Sequence, residues 1–361
     1  MSQQESKSLL DQHGELPVYS CSTCQSNIVA YFSLGDECPY CLQSTLQPGN
    51  GGESIHSAFS PEAYLPIQVA QSARDQELKN FARSIPFRPV DLNTRRQLDR
   101  MTLIYLPIWW VDVAVKANWQ AEVGYPYEVL SHQEKYEAGQ WKTHEVREKR
   151  LTWEWRGGTL ERQYDNIPAP AFSFFEKLQE ATGFFDQRLA EPYAPESVAR
   201  GAIILPDRSI REAWSEARYE LDRRAQEECE QAAGGEAIRE FAWEPEFGDP
   251  NWTQLLVPVW QSWYLDDEGN KLPIYFNTQT GQSHGIKRAS PKRARRWSAM
   301  AWLSALIVVI GAGLAFLFVP INDYRIAIAI GGGISVLSAA IAAIAARARV
   351  NRFNWRQGMR I

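Results

Sequence analysis

The chain has 361 residues, 45% hydrophobic and 12% aromatic, with 14 Trp, five Cys and a formal net charge of −5. That length holds two or three domains with a sizeable core, and the aromatic content argues against a disordered chain. Four of the five cysteines fall within residues 21–41, which excludes a disulfide framework and fits a reducing compartment where thiolates stay available to metal. The polar opening MSQQESKSLL lacks the apolar core of a secretory signal, so none is expected.

The first element is CSTCQSNIVAYFSLGDECPYC, residues 21–41. A Cys-x-x-Cys turn sets two sulfurs at a spacing that can share one ion. Two such turns, one at Cys21 and Cys24 and the other at Cys38 and Cys41, close a tetrahedron. These four cysteines are therefore the expected ligands of a structural Zn2+ with no open catalytic position. NIVAYF (27–32) reads as the strand leaving the first knuckle, and Gly35 with Asp36 as the turn back. Gln25 and Leu42 stand just after each pair, where many zinc knuckles carry Gly.

Zinc ribbons often serve nucleic acid, but this one is acidic. No Lys or Arg occurs between Lys7 and Arg74, whereas Asp11, Glu15, Asp36, Glu37, Glu53 and Glu62 do. The net charge of −5 includes +6 in residues 287–297 and +5 in 347–361, so residues 1–286 hold −16. A phosphate backbone would repel such a surface, so no nucleic-acid partner is expected. The ribbon is expected to be a folding clip or a protein-interaction knob.

Residues 43–60 are rich in Gly, Ser and Gln and read as a linker. Residues 61–286 read as one α+β region. Residues 69–84 are predicted helical. From Trp109 to Tyr125 the odd positions are apolar while Asp112, Lys116, Asn118, Gln120 and Glu122 occupy even ones, a long strand with one buried face. EVREKRLTWEWRG and LERQYD (within 145–165) read as an antiparallel meander, and 171–188 as a helix. Ser209 and Glu212 form a capping-box pattern opening a helix to about Gln231. Cys229, near its end, reads as an ordinary thiol. LLVPVWQSWYL (255–265), DDEGN and KLPIYFN (271–277) read as a hairpin, with TQTG (278–281) as the next turn. LPIW (106–109) and VPVW (257–260) echo each other and hint at a duplicated helix-then-sheet unit. The five His (13, 56, 132, 144, 284) are scattered in polar settings, and no phosphate loop or nucleophile motif occurs. No enzyme activity is expected.

Residues 298–319 and 326–345 contain no charged side chain, and at ~1.5 Å per residue each spans about 30 Å, a bilayer core. Only PINDYR intervenes, so they form a hairpin. Both outer flanks are basic, which by the positive-inside rule places both termini in the cytoplasm. Trp297 and Trp302 suit one interface and Tyr324 the other. Ala327, Gly331, Ser335 and Ala339 form a small-residue stripe for close packing, on the first helix or on another copy in an oligomer.

The fold class is thus α+β: an N-terminal zinc ribbon with its tail (1–42), a linker (43–60), an antiparallel-sheet-plus-helix body (61–286) and a basic-flanked transmembrane hairpin (287–361). The cysteine pairs, with residues 85–113, 200–214 and 255–285, resemble a family of bacterial membrane proteins labelled TFIIB-type zinc-ribbon or primosomal-protein-N′-like. Where that family commonly has Asn-Gly-Gln-Thr-Gly, this chain has Asn277, Thr278, Gln279, Thr280 and Gly281. The resemblance implies no defined enzyme activity. It implies partners of the phage-shock-protein-A-like or SPFH-domain kind in membrane stress. The expectation is a scaffold in the cytoplasmic membrane that meets the lipid bilayer and protein partners. The alternatives are a membrane-tethered nucleic-acid factor and an accessory subunit of an enzyme or transporter.

Overall fold

A computed structural model describes residues 18–30, 32–43, 45–48, 61–137, 139–173, 182–198, 200–318 and 322–358. The described elements are β1 (Val18–Cys21), β2 (Asn27–Ala30), β3 (Leu46–Pro48), β4 (Ala63–Tyr64), α1 (Gln71–Arg83), α2 (Thr94–Asp99), β5 (Thr102–Glu137) and β6 (Gln140–Pro170). They continue with β7 (Glu191–Pro192), α3 (Pro195–Val198), β8 (Ala202–Ile204), α4 (Ile210–Ala233), β9 (Ala237–Phe247), β10 (Asn251–Leu265), β11 (Lys271–Asn277), β12 (Ser283–Gly285), α5 (Pro291–Phe318) and α6 (Asn322–Gly358). The strands join in one mixed 12-stranded sheet with the path β12-β11-β10-β5-β8-β2-β1-β3.

β5 organises this sheet. Its odd positions Trp109, Val111, Val113, Val115, Ala117, Ala121 and Val123 are buried, as the alternation dictates. Helix α4 covers that face with Ala213, Ala217, Leu221, Ala225 and Cys229, spaced four apart along one stripe. Four of the five are small, which lets helix and sheet approach closely. The helix opens on the expected Ser209–Glu212 capping box and closes at Gly234, in the left-handed conformation at φ 68°.

The stretch 145–165 is no meander but part of one strand, β6, paired with β5 from Pro170 to Gln140. Gly157 and Gly158 lie flat opposite Gln120 and Trp119. A Cβ on Gly158 would stand 3.1 Å from the Trp119 indole nitrogen, so glycine makes room for that ring. Of the helix expected over 171–188, residues 174–181 lie outside the described residues; 171–173 form bends and a turn, Thr182 is helical, 183–186 are irregular, and Gln187–Leu189 make a single 3-10 turn.

The echoed tetrapeptides lie side by side. Leu106 pairs with Val257, and Pro107 with Leu256, in the antiparallel β5–β10 ladder. Each proline stands where its strand changes outer neighbours. β8 leaves β5 at Tyr105 and β6 begins at Ile108; β4 leaves β10 at Leu256 and β11 begins at Val259. A residue without an N–H fits such a gap. The element order also repeats, since β4, helices and the β5–β6 hairpin are followed by β8, a helix and the β10–β11 hairpin, with β9 inserted. Asn277 Oδ1 accepts from the amides of Gln279 and Thr280, and buried Thr278 donates its hydroxyl to the Pro258 carbonyl at 2.8 Å.

Beyond Gly124 strand β9 ends, and β5–β6 continue as a two-stranded arm to the tip at Gly139. At ~3.3 Å per residue, this arm projects about 43 Å. The tip carries an edge-to-face pair, Tyr136 and Trp141, with centroids 5.3 Å apart.

Candidate metal centre and apolar helices

The Sγ atoms of Cys21, Cys24, Cys38 and Cys41 all lie within 4.8 Å of one another. Cys21 and Cys41 are 3.6 Å apart, and Cys24 and Cys38 3.8 Å. Sulfurs at ~2.3 Å from a tetrahedral ion stand about 3.8 Å apart, so the donors already fit one four-coordinate soft cation. Cys21 and Cys38 are buried and the other two half-buried. The four thiolates would fill every position of such an ion, giving a closed site.

The two knuckles share one backbone pattern. Gln25 N–H donates to the Cys21 carbonyl and Leu42 N–H to the Cys38 carbonyl, at 2.8 and 2.9 Å. Cys21 N–H reaches Ser26 O and Cys38 N–H reaches Gln43 O. Gln25 and Leu42 accordingly take left-handed backbone, with φ 59° and 64°. The glycine-type turn is therefore kept without glycine, at roughly 1 kcal/mol or more each.

Crowded thiols resist shared ionisation. A hydrogen bond from Cys38 favours the Cys24 thiolate, pulling it down to about 4. Cys38 is pushed far up, first by that same contact and then by burial. Burial raises Cys41 to about 11, with the Cys24 charge adding to it. A cation that takes all four thiolates removes this conflict. Thr45 Oγ1, 3.2 Å from Cys21 Sγ, favours the Cys21 thiolate against the opposing effect of burial.

The ribbon is not a separate knob. Strand β2 pairs with β8 through Ile28–Ile204, Val29–Ile203 and Ala30–Ala202. Residues 46–48, expected within the linker, form strand β3 against β1. Cys21, Cys38, Ile28 and Ala30 share a core cluster with Ile104, Leu106, Ile204 and Val259. The second knuckle is also tied to the β10–β11 hairpin. Gln261 donates to Tyr40 O at 3.1 Å, and Lys271 to Leu42 O at 2.9 Å while pairing with Glu37 at 3.1 Å.

The opposite part of that hairpin carries the C-terminal helices. Leu272, Ile274, Phe276 and Tyr264 pack with Leu78, Phe81, Ala289, Ala294 and Val350. Tyr264 OH donates to Ile286 O, Arg288 pairs with Asp266 at 3.1 Å, and Ser290 Oγ with Asp267 at 2.7 Å. Ala289 N–H donates to Asn354 Oδ1, and Asn354 Nδ2 back to Ala289 O. Helices α5 and α6 contain spans, Pro291–Ala315 and Ile328–Gly358, long and apolar enough to cross a membrane, and only 11% and 17% of their most apolar windows are buried. Leu306, Ile307, Leu317, Ile334, Leu337 and Ile344 are exposed. Within one copy the small-residue stripe is buried at its C-terminal end, at Ala339 and its continuation Ala343. Gly331 is exposed and Ser335 bonds its own helix, while Ala339, Ala343, Ala346 and Val350 are buried against α5 and the body. The side chain of Ala327 lies outside the described residues.

The remaining candidates are dispersed. Cys229 sits in the α4–sheet core, its thiol pushed up to about 11 by burial, which suits an inert thiol. His132 and His144 lie on the arm, and desolvation lowers the pKa of half-buried His284. His13 and His56 fall outside the described residues. Sequence reading missed the ties from Gln261 and Lys271, because nothing local marks a partner at the far end of the chain. The chain matches no family model, no curated protein and no solved structure.

Proposed function

We propose that the chain is a non-enzymatic, membrane-anchored scaffold whose Cys21, Cys24, Cys38 and Cys41 hold a structural Zn2+. Its body and both termini face the cytoplasm, where it docks protein partners beside the bilayer. One observation carries this reading. The β10–β11 hairpin holds the second cysteine knuckle through Gln261 and Lys271 and the foot of α5 through Tyr264, Asp266 and Asp267. A rigid platform between a metal-clipped module and two membrane helices suits a docking role. Four thiolates in a closed set suit zinc, and the acidic body argues against nucleic acid. Phage-shock-protein-A-like and SPFH-domain proteins are the first partners to test, on the strength of the family resemblance.

The test is capture from gently solubilised membranes, with and without nuclease, using the intact protein and the Cys21→Ser/Cys24→Ser variant. Defined protein partners that survive nuclease and are lost with the variant are expected. Recovery that requires nucleic acid would overturn the reading. A second reading, an accessory subunit holding a small ligand, is favoured by a cavity of about 710 Å³ between α4 and residues 182–188. Among its charged residues, Glu220 pairs with Arg223 and Arg224, and Asp186 with Arg188, which weakens it as a catalytic site.

A further inference from the structure

We infer that the loop between α1 and α2, residues 84–93, is a second membrane contact that binds anionic phospholipid headgroups beside the foot of α5. The inference rests on the membrane reading above. It starts from position. The loop runs along the first two turns of α5: Ser290 N–H donates to Phe87 O, Arg293 donates to Arg88 O at 2.9 Å, and the Phe87 ring meets Trp297 edge-on at 6.1 Å. Ser290 to Trp297 covers about 10 Å of helix axis. A leaflet's polar layer is roughly 5–8 Å deep, and Trp297 marks the start of the apolar span. The loop is therefore held at headgroup depth.

Its chemistry matches that depth. Val90 is 67% exposed, although the loop is otherwise anchored by buried Ile85 and Leu92. Arg88, Arg95 and Arg293 are exposed, and none has an ion-pair partner among the described residues. Asp91 and Asp267, the acids of the loop and of the turn at the foot of α5, are already engaged, whereas exposed Asp99, four residues beyond Arg95 on α2, has no ion-pair partner among the described residues. Asp91 is taken by Arg96, Arg100 and the Leu265 amide, and Asp267 by Ser290 and Lys292. Three exposed guanidinium groups without an ion-pair partner among the described residues, on the loop, the first turn of α2 and the first turn of α5, thus accompany the exposed Val90 on a body that is otherwise acidic. Guanidinium forks suit phosphate oxygens, and cationic side chains near an anionic leaflet each add attraction. Phe87 supplies an independent sign, since its backbone is held left-handed at φ 47°. A non-glycine residue kept there costs about 1–3 kcal/mol and persists only where surroundings fix it. Here Ser290 and Trp297 do so, which presents Arg88 and Val90 outward.

The test uses the full chain in vesicles of phosphatidylcholine alone or mixed with phosphatidylglycerol. A polarity-sensitive fluorophore is placed on Val90→Cys, with Leu306→Cys and Tyr136→Cys as controls. The expected result is a blue shift at position 90 only with phosphatidylglycerol, lost in Arg88→Gln/Arg95→Gln. Position 306 reports an apolar setting in both lipids and 136 reports water. A water-like signal at 90 in both lipids, with 306 still apolar, would overturn the inference. An equal shift in both lipids that ignores the arginine variant would overturn the headgroup assignment. Water at 306 would instead bring down the membrane reading itself.

Discussion

Replacing Cys38 with Ser tests the proposed metal site, because Cys38 is fully buried and part of the ribbon core. A serine hydroxyl does not ionise near neutrality, so the site drops to three thiolates. Structural zinc in small modules is worth about 10–16 kcal/mol in all, or roughly 3 kcal/mol per ligand. That corresponds to about a hundredfold loss of affinity. The consequence should propagate, because Ile28, Val29 and Ala30 are each fully buried against Ile204, Ile203 and Ala202. Each large apolar side chain loses about 1.5–3 kcal/mol if the ribbon lifts away. Competition with a chromophoric chelator reads the affinity, and hydrogen exchange reads the strands. Exchange should accelerate at 27–30 and 202–204 but not at 271–277. Unchanged affinity, or a variant whose β2 amides stay as protected as in the wild type, would refute the reasoning.

Gln25→Gly should stabilise the ribbon by up to about 1 kcal/mol, since Gln25 is exposed and held at φ 59°; chelator-dependent melting reads it. Leu221→Ala should cost about 2–5 kcal/mol by denaturant titration, since Leu221 is fully buried between α4 and the sheet. Asn354→Ala removes both bonds to Ala289 and should cost about 1–3 kcal/mol, with faster exchange at the foot of α5 and no change in the ribbon. Burial works against the Asp91 carboxylate, but hydrogen bonds from Arg100 and the Leu265 amide prevail and lower its pKa. Its stabilisation should therefore be fully present above the usual Asp value of about 3.9 and fade as pH falls through the lower folded value. Asp91→Asn should remove that acid-sensitive portion, seen as a flatter stability profile in this window.

Local chemistry made much of this fold readable. The cysteine spacing pointed to four ligands that converge to within 4.8 Å, and the alternation from Trp109 to the buried face of β5. Ser209 and Glu212 marked the start of α4, and the charge-free runs marked two helices. What sequence hid depends on distant partners. Residues 145–165 read as a meander because Trp119, which needs the bare backbone of Gly158, lies on the neighbouring strand, far earlier in the chain. Residues 46–48 read as linker because β1 is what makes them a strand. The ribbon looked detachable because its partner strand, β8, follows only after the whole β5–β6 hairpin.

Site-directed labelling in intact cells tests whether the body is anchored and faces the cytoplasm. Asn322→Cys, at the start of α6, and Gly358→Cys, at its end, would each be treated with a membrane-impermeant maleimide. Position 322 should be labelled from outside, and position 358 only after the membrane is opened. Labelling of 358 but not 322 in intact cells, or recovery of the chain in the soluble fraction with both positions protected, would contradict this arrangement.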